Sequence, residues 1–323
     1  GERIDLTVTG PMHTPVKAHY GYLKDSNTAV MEMASAAGIT LVSDDAKDPL
    51  LATSYGVGEM INHALQKGCR NFIIGIGGSA TNDGGIGMLQ ALGFGMLDEN
   101  GNQVEFGAKG LRQLKSITTS HVLPELSKCT FRVACDVTNP LCGNDGATYT
   151  FGRQKGATPE IQNDLEAGMC NYRDIIKEQF DLDMDNIPGS GAAGGLGTAL
   201  MVFLNGTLKS GIETVLDLVD FDEHLKDVDI VVTGEGATDW QSVFGKVMQG
   251  VGVHCQKHHI PAVAIVGSMG SGAEDIFDYG IESIITTVNN IMPLSDALNH
   301  AEELYLGAAR RMFRLLKAGM QMR

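Results

Sequence analysis

The chain has 323 residues, of which 43% are hydrophobic and 20% charged, with a formal net charge of −15 and a pI near 4.9. That length favours two domains at roughly 100 to 200 residues each, and the composition is globular, with no long disordered stretch expected. The acidic balance speaks against a nucleic-acid or anionic-membrane surface, since either needs clustered Lys and Arg to replace released counterions.

Alternation in residues 4–9 and again from Val16 to Tyr22, broken at Gly10-Pro11, predicts an antiparallel hairpin or meander at the start. Ala29 to Ala37 is small and apolar, residues 43–49 form a polar loop, and Gly56 to Gln66 carries a helical period. A strand from Asn71 to Ile76 runs into the glycine-rich turn 75–85, and a helical period resumes from Ile86 to Leu92. A second strand, Thr130 to Cys135, ends at Asp136 and is followed by Asn139. Gln154 and Lys155 fall on a loop, after which Thr158-Pro159 supplies an N-cap and an N1 proline for a helix. Residues 188–197 are too glycine-rich for an ordinary helix start and predict a tight turn.

From about Val228 the rhythm becomes strand, helix, strand, helix. Strands are expected at 228–233, 261–266 and 282–288, and helices at about 242–258, 272–278 and 294–317. Such alternation implies a parallel, doubly wound sheet. Three strands are few for that class, so further strands are expected from another chain or from residues outside this sequence.

Cys69, Cys129, Cys135, Cys142, Cys170 and Cys255 show neither a CxxC pair nor a regular spacing, so reduced thiols are expected rather than a zinc finger or a disulfide framework. No apolar run reaches the 18 to 20 or so residues of a membrane span, and the first residues lack a signal-peptide core, so a cytoplasmic protein is expected. The nine histidines show no metal-ligand spacing, and His254, His258 and His259 stand near a helix end, where positive charge is favourable anyway.

Three segments, 75–85, 189–197 and 233–241, share one device: a glycine-rich turn whose amides, with the positive end of a following helix, can hold an anion. One such loop alone serves a tight turn as readily as a ligand. Three of them, each carrying polar side chains, make Gly77, Gly78, Ser79, Thr81, Asn82, Gly191, Gly194, Gly195, Gly234 and Gly236 candidates for holding an anion. None matches a P-loop or a dinucleotide fingerprint. Phosphoryl transfer needs carboxylates to hold Mg²⁺ and to orient a hydroxyl. Asp83, Asp136, Glu235 and Asp239 lie in these loops or at a strand end, while Lys155 and Lys246 stand beside glycines.

In this order and spacing, GIGGSATNDGGIGMLQALG, ACDVTNPLCG, FGRQKGATPE, PGSGAAGGLGTAL and TGEGATDWQSVFGKVMQGV resemble the bacterial type of glycerate kinase, over essentially the whole chain. The resemblance implies an α/β fold of two lobes: a Rossmann-like parallel domain, incomplete here, contributing residues 226–323, and a mixed α/β inserted domain, residues 1–225. It implies an ATP- and Mg²⁺-dependent kinase acting on D-glycerate, with 2-phosphoglycerate favoured over 3-phosphoglycerate, and makes the nucleotide the anion held by the three glycine turns. It gives Asp239, Asp83, Glu235 and Lys246 as catalytic candidates and Asp83 and Asp239 as metal candidates. Asp136, Asn139, Gln154, Lys155 and Gln241 are then candidates for the substrate. Oligomeric state is left open.

Two departures accompany the resemblance. Similar proteins open with an APDSFK-like segment absent before Gly1, and their TGEG turn is followed by arginine where this chain has Ala237. A guanidinium lost from an anion site removes bidentate hydrogen bonding worth roughly 1.5–3 kcal/mol per bond. The rival readings are therefore a kinase of another short hydroxy acid, or a ligand-binding homologue or fragment with impaired turnover.

Overall fold

The computed structural model describes residues 1–243 and 245–322, and of Gln241 the backbone alone. It divides into two compact units, Gly1–Lys209 and Ser210–Arg323.

The first unit is built on a six-stranded mixed sheet of order β1-β2-β3-β4-β7-β8 and has a separate two-stranded antiparallel sheet, β5-β6. Its strands are β1 (Glu2–Thr9), β2 (Pro15–Leu23), β3 (Thr28–Glu32), β4 (Asn71–Gly75), β5 (Gly95–Leu97), β6 (Ser116–Thr118), β7 (Thr130–Ala134) and β8 (Thr207–Lys209). β1, β2 and β3 form an antiparallel meander, Glu2 opposite Tyr22 and Tyr20 opposite Met31. In the rest of this sheet β3 pairs with β4, β4 with β7 and β7 with β8, all parallel. β4, in the centre of the parallel half, buries Phe72, Ile73 and Ile74 in succession, as a strand covered on both faces requires, whereas β7 alternates, burying Phe131 and Val133 and exposing Arg132.

Helix Tyr55–Gln66 buries Val57, Met60, Ile61, Ala64 and Leu65, a single stripe at helical spacing. Helix Pro159–Phe180 starts where Thr158 accepts from the Ile161 amide and Pro159 occupies the first turn. Both were legible as helices in the sequence.

The second unit has a parallel three-stranded sheet, β9 (Val231–Thr233), β11 (Ala262–Val266) and β13 (Ile281–Thr286), in the order β13-β11-β9. Two short strands, β10 (Ala237–Thr238) and β12 (Ser268–Met269), pair beside it. The expected helix at 272–278 is instead a 3₁₀ helix, Ala273–Tyr279, held between left-handed Gly272 and Gly280. The expected helix at 294–317 is two helices, Leu294–Asn299 and Ala301–Met320.

The units part at Lys209/Ser210; the resemblance implies a lobe boundary near 225, and the strand rhythm begins at about Val228. Ser210 caps helix Gly211–Leu218 by accepting from the Glu213 amide, and Leu216 and Leu225 pack into the core of the second unit. Helices carry no strand rhythm, so the sequence pattern could not place them.

Candidate active site

In the first unit a cavity of about 410 Å³ opens at the carboxyl ends of β4 and β7. Gly77, Gly78 and Ser79 form one wall, Asp136 and Val137 another, and Phe151, Gln154 and Lys155 a third. Nothing lies within 4 Å of where a Cβ on Gly77 would be, and Gly78 has φ +72°. The turn thus presents bare backbone to the cavity, which a side chain at Gly77 would obstruct.

Lys155 is the charged group of this wall. It is 2% exposed, and its ammonium donates to Ser79 Oγ at 2.9 Å and to the Thr81 carbonyl at 2.7 Å. Burial depresses its pKa to about 7, against which the negative charge of Asp83 acts. Of its three N–H donors two are committed within the protein, leaving one for a ligand.

Asp83 lies beneath the turn and does not line the cavity. It is fully buried; Oδ2 accepts from the amide and hydroxyl of Ser54, both at 2.8 Å, and Oδ1 from the Gly85 amide at 3.1 Å. Burial raises its pKa, and these hydrogen bonds oppose that rise. The free amides read in the sequence as an anion site at the start of helix Ile86–Ala91 are therefore occupied by the protein's own carboxylate. Thr81 and Asn82 are buried as well, with Asn82 Nδ2 donating to Thr148 Oγ1 at 3.2 Å.

The glycines of the 189–197 turn are likewise used for close approach. Ala193, Gly194 and Gly195 run left-handed, at φ +53°, +68° and +87°. A Cβ on Gly194 would stand 2.1 Å from the Thr81 carbonyl, one on Gly195 2.8 Å from Gly84 Cα, and one on Gly191 2.0 Å from the Pro140 carbonyl. Gly84 N donates to the Gly194 carbonyl at 2.9 Å. Ala192 and Ala193, not these glycines, reach the cavity. Asn139 shapes its own connection, donating to the Asp145 carbonyl at 2.8 Å.

Of the candidates in this unit, the structure brings Gly77, Gly78, Ser79, Asp136, Gln154 and Lys155 together around one space and leaves Thr81, Asn82, Asp83, Asn139, Gly191, Gly194 and Gly195 supporting it. Cys135 and Phe151 line the space too; neither carries a sequence signal that sets it apart from core filler.

The second unit has a separate hollow of about 380 Å³, bounded by Thr233, Gly234, Glu235, Gly267, Thr287 and Tyr305 among others. It lies at the carboxyl ends of the parallel strands, where ligands of open α/β sheets bind. A Cβ on Gly234 would fall 2.0 Å from the Ile265 carbonyl, whereas Gly236 faces open space. Glu235 Oε1 is buried and has no hydrogen-bond partner among the described residues. Asp239 is half-buried just beyond, its amide donating to Ser242 Oγ at 3.3 Å. Lys246 is exposed and precedes helix Val247–Lys257. The Gln241 side chain lies outside the described residues. An orphaned carboxylate oxygen of this kind suits a hard, oxygen-seeking cation such as Mg²⁺.

Comparison with known proteins agrees with this architecture. The sequence model of the Glycerate kinase family matches residues 1–317. Glycerate 2-kinase of Escherichia coli (strain K12) is 44% identical over 97% of this chain and 82% of its own length. Glycerate kinase of Bacillus subtilis (strain 168) is 42% identical over 100% of this chain and 84% of its own. A crystal structure of a protein provisionally assigned as glycerate kinase 2 from Salmonella typhimurium LT2 superposes with a TM-score of 0.88 at 43% identity, covering 99% of this chain and 84% of that one. With two α/β units, a glycine-turn cavity and a TGEG hollow at the strand ends, this chain belongs to the glycerate kinase family.

Proposed function

We propose that the chain transfers the γ-phosphoryl group of ATP to D-glycerate, forming 2-phosphoglycerate. The observation that carries this reading is the first-unit cavity, where bare glycine backbone, a buried lysine and a carboxylate share one space. The Lys155 ammonium and the Gly77–Ser79 backbone form a locally positive wall in a chain of net charge −15, and so hold the glycerate carboxylate. Asp136 lies across the same space and orients the reacting hydroxyl, the role that a phosphoryl acceptor requires. The 2-position is supported by the name of the Escherichia coli relative.

In the second unit, the TGEG turn at Gly234–Gly236 takes the nucleotide phosphates on its backbone, and Glu235 would hold Mg²⁺. The bound ion supplies neutralisation of charge on the phosphate oxygens. Asp239 is a supporting carboxylate beside that turn. Phosphoryl transfer has little covalent chemistry for the protein to perform, so positioning and charge carry the rate.

The test is ADP release with ATP, Mg²⁺ and D-glycerate, with the product's phosphate position read by ³¹P nuclear magnetic resonance. Glycerate-dependent ADP and a 2-phospho product are expected; ADP release indifferent to glycerate would end this reading. Asp136→Asn and Asp239→Asn, assayed side by side, separate the two carboxylates. A loss of at least about a hundredfold in turnover is expected from Asp136→Asn if it orients the hydroxyl.

A further inference from the structure

We propose that Cys142, Glu166 and Cys170 form a binding site for a thiophilic divalent cation of the zinc class, distinct from the cavity and from the TGEG hollow. One donor atom from each, two sulfurs and a carboxylate oxygen, lie within 4.8 Å of one another. In a tetrahedral site with zinc–sulfur bonds of about 2.3 Å and zinc–oxygen bonds of about 2.1 Å, neighbouring donors stand roughly 3.5 Å apart. The group therefore needs only a small contraction to close on an ion.

The carboxylate of this group has an acceptor left unmet. Glu166 is 9% exposed; its Oε1 accepts from the Gly143 amide at 2.6 Å and from the Cys170 thiol at 3.8 Å. Its Oε2 is buried with no partner among the described residues. A buried carboxylate oxygen with nothing to accept from is costly, and a bound cation removes that cost.

The surroundings hold the donors in place. Glu166 and Cys170 are four residues apart on helix Pro159–Phe180, hence on one face of it. Cys142 arrives from the connection after β7, where its amide donates to Asp185 Oδ1 at 3.1 Å. Asp185 is in turn paired with Arg173 at 2.9 Å, so its charge is offset and Glu166 is the carboxylate left for the ion.

The donor set decides the class. Two sulfurs and one carboxylate oxygen suit a borderline-soft d¹⁰ ion and disfavour Mg²⁺ or Ca²⁺, which take oxygen shells. Each thiol releases its proton to solvent as its metal–sulfur bond forms. Three protein ligands leave a fourth position for water. The connection that carries Cys142 also gives Asp136 and Val137 to the cavity wall, so an occupied site ties that wall to helix Pro159–Phe180.

The experiment is a titration of the reduced, chelator-treated full chain with Co²⁺, a spectroscopic stand-in for zinc. A thiolate-to-cobalt charge-transfer band that saturates at one equivalent and disappears on adding Zn²⁺ is expected. Cys142→Ser and Cys170→Ser should each abolish the band, and Glu166→Gln should weaken Co²⁺ binding at least about tenfold. Circular dichroism checks the fold of each variant; if buried Cys142 does not tolerate serine, the half-buried Cys170 decides alone. Absence of the band in the unmodified chain, or its persistence in folded Cys170→Ser, would overturn the proposal.

Discussion

Lys155 and Asp83 show how two charges in one buried region acquire different tasks. The pKa of Lys155 is about 7 in the folded chain against an ordinary 10.5, so between those values the unfolded chain binds more protons and stability rises with pH. Function runs the other way, because the ammonium that would hold glycerate is lost as pH climbs through about 7. We expect kcat/KM for glycerate to fall across that range, with a pH–rate profile as the check. In Lys155→Met that limb should flatten and kcat/KM drop about tenfold to a hundredfold, the worth of one charged hydrogen bond at roughly 1.5–3 kcal/mol. A profile unchanged by the substitution would remove Lys155 from the binding step.

For Asp83 the expected effect is on stability. Asparagine in its place would set an NH₂ group against one of the donors it now accepts from, Ser54 or Gly85. A loss of about 1–3 kcal/mol in a thermal or denaturant melt is expected, with turnover in the surviving folded fraction near that of the parent. Both residues were visible in the sequence as charges beside glycines, but their tasks were not. Lys155 meets Ser79 and Thr81 across 76 and 74 residues of chain, and nothing local distinguishes a lysine that folds inward from one that is solvated.

At the scale of elements, the glycine runs were legible as turns, but it was not legible which of them face a cavity: Gly77 and Gly78 line one, while Gly191, Gly194 and Gly195 are taken up by close packing of backbone. A sequence shows that a backbone can turn left-handed; it does not show whether another backbone already fills the space. Gly194 is the clearest case, since its φ of +68° and the Thr81 carbonyl 2.1 Å from a would-be Cβ both exclude a side chain. Gly194→Ala should therefore cost at least about 2 kcal/mol through clash and backbone strain together. A melt matching the parent would contradict this packing role.

Of the histidines near the end of helix Val247–Lys257, His254 has carboxylate partners. His254 Nδ1 lies 2.5 Å from Asp222 Oδ1, and its Nε2 lies 3.3 Å from Glu213 Oε2, so one imidazole ties helix Val247–Lys257 to helices Phe221–His224 and Gly211–Leu218. Burial lowers the His254 pKa, but the two carboxylates outweigh it and the net shift is upward. The stabilisation is then full below the unfolded value of about 6.5 and is lost as pH rises through the folded one. Asp222→Asn should lower the His254 titration midpoint, followed by nuclear magnetic resonance, and cost no more than about 1 kcal/mol, because the Asp222 side chain is 35% exposed.

Over the whole molecule, the second unit's parallel sheet was readable from strand–helix rhythm, and the meander of the first from alternation broken at Gly10-Pro11. The boundary was not readable, because it depends on which core helix Gly211–Leu218 joins. The cores themselves are unequal. One cluster in the first unit runs from Ile4 to Leu204 through a six-stranded sheet. The second unit divides its buried side chains between two smaller clusters, one centred on Met248, Cys255 and Ile276 and the other on Val263, Ile265 and Met312. Burial per residue rises with the size of a core, so the second unit is expected to be the less stable. Calorimetry of the full chain should show two transitions, the lower one carrying the smaller enthalpy. Asp222→Asn should move the lower transition alone, and Gly194→Ala the upper one. A single transition displaced equally by both substitutions would mean that the two units fold as one cooperative body.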